Sequence, residues 1–118
     1  MICLDSDIII DIIKGKRTIN VDDELCTTSV NVHELLVISN KQERDKVYMI
    51  LNMLYVLPMQ KNSSIISSKI FRELKQSGKE IGNNDAMIAG IMKSLNCSKI
   101  LTNNKKHFER INGIEICS

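Results

Sequence analysis

Short apolar segments that end at polar residues, each followed by apolar residues at helical spacing, constrain this chain most strongly. Residues 2–4 form one such segment and end at Asp5, after which isoleucines repeat at helical spacing as far as Lys14 and Gly15. Gly15 predicts the left-handed stop of this helix. Residues 26–30 are rich in β-branched side chains and precede a second helical pattern, for which Asn31 is a candidate cap. Strand followed by helix therefore repeats along the chain.

The remaining segments continue this alternation. Their pattern predicts helices over 47–54, 66–74, 86–95 and 107–111, and strands over 55–57, 100–102 and 114–117. Pro58 ends one strand, and Ser63 or Ser64 caps the helix that stops at Gly78. We expect a single domain over residues 1–118, with a three-layer α/β/α architecture and a mainly parallel sheet of four or five strands.

Charge and aromatic content exclude several ways of binding other molecules. The chain has 16 Lys and Arg against 14 Asp and Glu, so its net charge of +2 provides no broad basic face. Because it has only two Phe, two Tyr and no Trp, single-stranded bases have almost nothing on which to stack. Any chemistry on nucleic acids must therefore be argued from a local site.

Two further absences bear on location and on metal chemistry. No apolar run approaches the roughly 20 residues that span a bilayer, and three aspartates interrupt the apolar stretch near the start. We therefore expect no membrane partner and a cytoplasmic location. The four cysteines stand apart, without the spacing of zinc ligands, and are expected to be reduced thiols in the core. They are Cys3, Cys26, Cys97 and Cys117.

Acidic and amide side chains follow the predicted strands at the points where those strands end. They are Asp5, Asp7, Glu34, Asp85 and Asn104. Since the carboxyl ends of parallel strands meet at one edge of a sheet, we expect these side chains to lie together. Carboxylates gathered in a partly desolvated pocket repel one another, and a divalent cation relieves that repulsion. The pattern therefore predicts a Mg²⁺ or Mn²⁺ site suited to chemistry on phosphates.

Each of these acids also has an ordinary structural interpretation. Asp5, Asp7 and Asp85 could act as helix caps or first-turn acids, and Glu34 could close a capping box with Asn31. The two histidines, His33 and His107, lack catalytic partners at a recognisable spacing and are expected to be surface or turn residues. Only the combination of acids favours a functional site.

Four segments occur in an order that resembles the motifs of PIN domains. They are residues 4–11 (LDSDIIID), 27–35 (TTSVNVHEL), 84–89 (NDAMIA) and 101–104 (LTNN) with Phe108. The resemblance is closest to the VapC-like toxins of VapBC toxin-antitoxin pairs and covers essentially the whole chain. It implies a Mg²⁺- or Mn²⁺-dependent ribonuclease that acts on an RNA substrate, is held inactive by an antitoxin protein and forms a homodimer.

The resemblance also assigns roles to single residues. Asp5, Glu34 and Asp85 match the metal-binding catalytic acids of the family, and Asn104 falls where many members carry a fourth acid. The expected mechanism has the metal held by Asp5 and Asp85 while Glu34 positions it or the attacking water, and it leaves 5′-phosphate and 3′-hydroxyl products. A neutral Asn104 lowers the charge of the site by one. Asp7, where the family often has Asn or Ser, would restore part of that charge.

Several other residues are expected to support this chemistry or the assembly. The hydroxyls of Ser6, Ser29 and Thr102 can donate hydrogen bonds to the acids or to phosphate, and Lys14 can touch the RNA backbone, although capping and surface roles explain them equally well. The helix over 47–54 is apolar nearly all round, which favours an interface over burial within the monomer. An antitoxin would lay apolar segments there and direct a basic side chain into the acidic pocket.

Two alternative functions remain open on the sequence. One is a PIN-like module that has lost catalysis and serves as a binding partner, for which the neutral Asn104 is the only support. The other is a haloacid-dehalogenase-like phosphotransferase, because Asp5-Ser6-Asp7 imitates the nucleophile and acid of that family. However, the chain lacks the later lysine and the paired acids that such phosphotransferases need, and this alternative gives no role to Glu34.

Overall fold

A computed structural model describes residues 1–117, in which strands and helices follow one another in the predicted order. The elements are β1 Ile2–Leu4, α1 Ser6–Ile13, β2 Leu25–Thr28, α2 Ser29–Ile38, α3 Lys41–Leu51, β3 Tyr55–Leu57, α4 Lys61–Gln76, α5 Asn83–Ser94, β4 Lys99–Leu101, α6 Lys105–Phe108 and β5 Glu115–Cys117. Five strands form one parallel sheet in the order β3-β2-β1-β4-β5. The predicted α/β fold with a parallel sheet is confirmed.

The order of the strands places a crevice at the carboxyl end of β1. The chain builds β2 and β3 on one side of β1 and then crosses to build β4 and β5 on the other. Leu4 of β1 pairs with Leu101 of β4, so Asp5 and Thr102 leave the sheet side by side. Ligands of open parallel sheets bind where the strand order reverses in this way.

Side chains that alternate along β1 divide the core into two layers. Ile2 and Leu4 pack in one cluster with buried residues of α1, α2 and α3, whereas Cys3 packs in another with α5 and α6. This alternation follows from the pleat of a strand, which directs successive side chains to opposite faces. Helices therefore cover both faces of the sheet, as the predicted three-layer arrangement requires.

The second helix begins two residues earlier than its predicted cap. The strand expected over 26–30 ends at Thr28, and Thr28 is the N-cap of α2. The Thr28 hydroxyl accepts from the Asn31 backbone N–H at 3.3 Å, while the Asn31 side chain accepts from the Thr28 backbone N–H at 3.3 Å. Asn31 thus closes a capping box from the third helical position and is not the cap itself.

Other boundaries differ from the predictions because polar residues lie inside helices. Residues 41–45 of the polar segment belong to α3, and Asn40 caps this helix by accepting from the Glu43 backbone N–H at 2.9 Å. Ser63 lies within the first turn of α4 and accepts from the backbone N–H of the N-cap, Gln60. The short helix expected over 107–111 is α6, which begins at Lys105. Boundaries of this kind shift by a few residues when caps, not apolar periodicity, set them.

The glycine stops and the core thiols match the predictions. Gly15 and Gly78 have φ angles of +71° and +73°, in the left-handed region that ends α1 and α4. All four cysteines are free, and three of them are buried; the sulfurs of Cys26 and Cys97 lie 3.8 Å apart without a bond. Over residues 1–117, no helix combines the length and the apolar character needed to cross a membrane.

The α4 and α5 helices approach closely where Gly90 faces two serines of α4. A Cβ atom placed on Gly90 would lie 2.6 Å from the Ser63 carbonyl oxygen and 2.6 Å from the Ser67 Cβ. Backbone atoms of a packed helix cannot yield as a flexible side chain does. Gly90 therefore allows the short distance between these helices, on which the position of α5 against the sheet depends.

We predict that Gly90→Ala lowers the free energy of unfolding by about 1–3 kcal/mol, because overpacking outweighs the better helix propensity of alanine. Urea denaturation measures this loss. Gly82→Ala is the matched control, since a Cβ there meets nothing within 4 Å; it should lose less than about 1 kcal/mol, the preference of an N-cap for glycine over alanine. A Gly90→Ala protein as stable as the wild type would contradict the close approach.

Candidate active site

Asp5 is the most deeply buried acid of the site and is held by donors from three separate elements. Its side chain is only 6% exposed. Oδ1 accepts from the Ser6 backbone N–H and from Asn31 Nδ2, each at 2.9 Å, and Oδ2 accepts from the Thr102 hydroxyl at 2.7 Å. A buried carboxylate is tolerated when such donors replace its water. The start of α1, the first turn of α2 and the end of β4 are thereby tied to one carboxylate.

Glu34 is oriented by two neutral side chains. Its Oε1 accepts from the Ser6 hydroxyl at 2.9 Å, and its Oε2 accepts from Asn84 Nδ2 at 3.1 Å. The Ser6 hydroxyl oxygen in turn accepts from Asn31 Nδ2 at 2.9 Å, so its own proton is directed to Glu34. One amide group, on Asn31, therefore supports both Asp5 and Glu34.

Asp85 lies in the first turn of α5 and is held through a single oxygen. Oδ2 lies 2.7 Å from Asn104 Nδ2 and 2.7 Å from His107 Nδ1. Burial raises the pKa of Asp85, and the charges of Asp5 and Glu34 raise it further, although the hydrogen bond from His107 opposes this rise. The three acids therefore act on one another electrostatically across the crevice.

Asp7 lies beside Asp5 but is tied to the segment after β4. Its Oδ2 accepts from the Asn103 backbone N–H at 3.1 Å, while its Oδ1 is buried and has no partner within residues 1–117. Burial, followed by the charge of Asp5, raises the pKa of Asp7 from 3.8 to about 6. The same Asn103 donates its side-chain N–H to Asp11 at 3.1 Å.

Most residues predicted for the site lie around this crevice, and two do not. Hydrogen bonds join Asp5, Ser6, Glu34 and Thr102, and the Asn104 backbone N–H, which donates to the Thr102 hydroxyl, adds Asn104 and Asp85 to this network. Asp7 lies beside them but is bonded to Asn103 instead. The Ser29 hydroxyl accepts from the Met59 backbone N–H at 3.1 Å, and within residues 1–117 it makes no hydrogen bond to the acids. Lys14 is exposed at the end of α1, and no contact with the acids is found in the described part of the chain. The roles of Ser29 and Lys14 stay predictions.

Two residues of the network were not predicted from the sequence to have a role in the site. His107 was expected to be a surface or turn residue, and that expectation is wrong because its ring contacts Asp85. Asn31 was expected only as a cap, yet it donates to Asp5 and to Ser6. Both lie three residues from a predicted site residue on a helix, Asn31 before Glu34 and His107 after Asn104. One helical turn of spacing was the available signal.

The donor set suits a hard divalent cation, although it is not a closed cage. Within residues 1–117 no three His, Cys, Asp or Glu side chains are gathered closely enough to enclose a metal ion. Asp5, Glu34 and Asp85 nevertheless offer only oxygen ligands, and their mutual repulsion is what a cation would relieve. Mg²⁺ commonly takes one or two carboxylates and keeps several waters, which an open site of this kind allows. The residues present therefore fit Mg²⁺ or Mn²⁺.

Asp7 predicts how stability varies with pH. An acid whose pKa is raised on folding stabilises the fold below the unfolded pKa, and this contribution is lost as the pH rises through the folded value of about 6. We therefore expect Asp7→Asn to raise the metal-free unfolding free energy at pH 7.5. Because the side chain is only partly buried, the expected gain is only about 1 kcal/mol, well below the full shift.

The gain should vanish at pH 3.5, where Asp7 of the wild type is protonated, so urea denaturation at the two pH values measures the difference. Asp22→Asn, at an exposed position, makes the same change of net charge and should alter neither value by more than about 0.5 kcal/mol. An equal gain at both pH values would show that the charge of Asp7 is not its cause.

Comparison with known proteins agrees with the motif order and the geometry. The family model of the PIN domain matches residues 2–114. VapBC2 of Rickettsia felis bound to promoter DNA contains a similar chain, with 25% identity, coverage of 98% of this chain and 97% of that chain, and a TM-score of 0.84. A chain of DNA-bound VapBC from Salmonella typhimurium is 29% identical, with coverage of 98% of this chain and 95% of that chain and a TM-score of 0.83. A chain of VapBC-1 from nontypeable Haemophilus influenzae is 27% identical, with coverage of 100% and 98% and a TM-score of 0.81. No curated protein sequence matches the chain. The chain belongs to the PIN-domain family.

Proposed function

We propose that this protein is a Mg²⁺- or Mn²⁺-dependent ribonuclease and the toxin of a VapBC-type pair. The observation that carries the proposal is the convergence of Asp5, Glu34 and Asp85, from three separate elements, at the edge where the strand order reverses. The similarity to solved VapBC assemblies supports the toxin assignment. Membership of the PIN family removes the haloacid-dehalogenase-like alternative.

The network gives each acid a distinct task. Both oxygens of Asp5 accept hydrogen bonds from the protein, which makes Asp5 the fixed point of the site. Glu34 is held at both oxygens by neutral side-chain donors and is suited to orient a water for attack. A bound divalent ion would activate that water and neutralise charge that develops on the phosphate. Asp85 would help to hold that ion.

The substrate proposal follows from charge and composition. Lys105 and Lys106 are exposed and directly follow Asn104, so they can contact phosphates beside the acids. With so few aromatic side chains, recognition would depend on the backbone and not on stacking. Single-stranded RNA held through its phosphates suits this surface. A cytoplasmic location follows, since that is where its RNA substrate is found.

We expect Asp85→Asn and Glu34→Gln each to lower Mn²⁺-dependent RNA cleavage at least about a hundredfold, because either loss removes charge that stabilises the transition state. Asp85→Asn should melt no lower than the wild type without metal, since its charge is unfavourable in the fold. Cleavage of a labelled RNA with Mn²⁺, and with EDTA as a blank, measures the rates.

The exposed variant Asp22→Asn controls for the change of net charge and should cleave at the wild-type rate. Undiminished cleavage by Asp85→Asn, or activity in EDTA, would refute metal-dependent catalysis by these acids. A wild type that cleaves no RNA with either metal would favour the alternative in which the module has lost catalysis.

We place the antitoxin site on an apolar surface beside the acids, and not on the helix over 47–54 that the sequence predicts. Val37 and Ile38 of α2 are 67% and 61% exposed, and they border a cavity that also contains Ile10 and Glu34. A partner segment covering these side chains would lie within reach of the acids. A basic side chain on that segment would then replace the cation by charge alone.

A second apolar surface, on and after α3, is proposed as the dimer interface. Tyr48, Met49 and Met53 are 53%, 67% and 76% exposed, while Val47 of the same helix is fully buried. The helix is therefore not enclosed within the monomer, which was the alternative to an interface. Exposed large apolar side chains that are grouped in this way commonly mark an association surface.

We predict that the wild type has close to twice the chain mass by light scattering at micromolar concentration. Met49→Glu plus Met53→Glu should reduce it to the monomer without unfolding, because both side chains are exposed. Val37→Glu plus Ile38→Glu adds the same charges to α2 and should leave the dimer intact. A monomeric wild type would contradict the dimer, and dissociation of the control alone would move the interface to α2.

A further inference from the structure

The contact between His107 and Asp85 is unexplained by the proposed roles of the three acids. Asp85 Oδ2 lies 2.7 Å from His107 Nδ1 and 2.7 Å from Asn104 Nδ2, and these two nitrogens lie 3.0 Å apart. The carboxylate oxygen can only accept, and the amide nitrogen can only donate. His107 must therefore carry a proton on Nδ1 and donate it to Asp85. Two donors thus converge on one oxygen of the acid.

The two carboxylate oxygens of Asp85 therefore differ in their hydrogen-bond partners. Oδ2 is held twice, whereas Oδ1 has no protein partner in the part of the chain that the structure describes, residues 1–117. The side chain is 16% exposed, so the site is not sealed from solvent. A carboxylate anchored through one oxygen cannot rotate freely, and its other oxygen keeps a fixed direction.

The anchor is connected to the buried acid on the other side of the crevice. The Asn104 backbone N–H donates to the Thr102 hydroxyl at 2.9 Å, and that hydroxyl donates to Asp5 Oδ2 at 2.7 Å. Phe108, the neighbour of His107, is fully buried and fixes α6 in the core. His107 therefore stands on a short helix that is secured at both ends, by hydrogen bonds and by packing.

We infer that His107 is a positioning residue that, together with Asn104, holds Asp85 by Oδ2 and leaves Oδ1 as the oxygen available to a divalent cation. The inference rests on the proposed function, since it concerns the same acids. Asn104 and His107 occupy the position where a fourth acid would lie. A fourth acid would add negative charge to the site, whereas these two side chains orient the Asp85 carboxylate. Partners that orient a metal-binding side chain typically contribute 10–100-fold to metal affinity or activity.

The test compares three substitutions of His107, two that remove the N–H donated to Asp85 and one that keeps it. His107→Ala and His107→Phe both remove the donor, and His107→Phe keeps a ring of similar size. His107→Asn keeps an N–H at the corresponding position of the side chain. Glu109→Ala, at an exposed residue just after α6, is the control for a general disturbance of the helix.

Mn²⁺ binding by calorimetry is the first measurement and does not depend on cleavage. At pH 7.5 both donor-free variants should bind Mn²⁺ at least about tenfold more weakly, whereas His107→Asn should recover most of the affinity and Glu109→Ala should match the wild type. In RNA cleavage the donor-free variants should lose kcat by a similar factor with KM unchanged. A merely structural role would not separate kcat from KM or be rescued by Asn.

The metal-free wild type supplies an independent measurement. The ¹⁵N NMR spectrum of the histidine rings should place a proton on Nδ1 of His107, in slow exchange with water. Absence of that proton would overturn the inference, and so would donor-free variants that bind Mn²⁺ within about twofold of the wild type. If the wild type itself bound no Mn²⁺ and cleaved no RNA, the proposed function would fail first, whatever the state of His107. If His107→Ala did not fold, His107→Phe and the NMR spectrum would still decide.

Discussion

The buried carboxylate of Asp5 is the constraint on which the rest of the site depends. At 6% exposure its charge has lost nearly all of its water, and only the donors from Ser6, Asn31 and Thr102 make that burial tolerable. Those donors belong to α1, α2 and the segment after β4. The strand order brings these three elements together, because β1 lies between β2 and β4. The hydrogen bonds of this one carboxylate therefore depend on the strand order, and they in turn tie the three elements together.

Neutral donors, with one histidine, hold all three acids, and this decides what the site can attract. Within residues 1–117 no lysine or arginine lies within ion-pair distance of these acids, and the only histidine at that distance is His107, beside Asp85. Amide and hydroxyl donors orient a carboxylate without cancelling its charge, whereas a lysine or arginine would cancel it. The site therefore keeps a strong negative potential in a rigid frame. A divalent cation, or a basic side chain supplied by a partner, satisfies the same requirement.

Much of this could be predicted from the sequence, and the rest depended on tertiary contacts. Apolar periodicity located every strand and helix, and the rule for parallel sheets brought Asp5, Glu34 and Asp85 to one edge. Helix boundaries were less accurate because Thr28 and Asn40 cap through hydrogen bonds that periodicity does not register. The contact of His107 with Asp85 joins α6 to α5 across 22 positions. The spacing from Asn104 places His107 near the site, but no spacing rule within one helix identifies Asp85 as its partner.

The geometry of the sheet would allow the proposed dimer and the proposed catalysis to coexist. Strands of a parallel sheet share one carboxyl edge, and the acids lie on that edge, whereas β3 lies on a lateral side of the sheet. Tyr55 and Val56 of β3 are 58% and 42% exposed, which an uncovered edge strand seldom tolerates. A second copy packed along β3 and α3 would cover them without blocking the carboxyl edge. A partner on Val37 and Ile38 would instead border Glu34. The surface that is covered, and not the amount of apolar area buried, would then determine whether the acids stay open to the proposed RNA substrate.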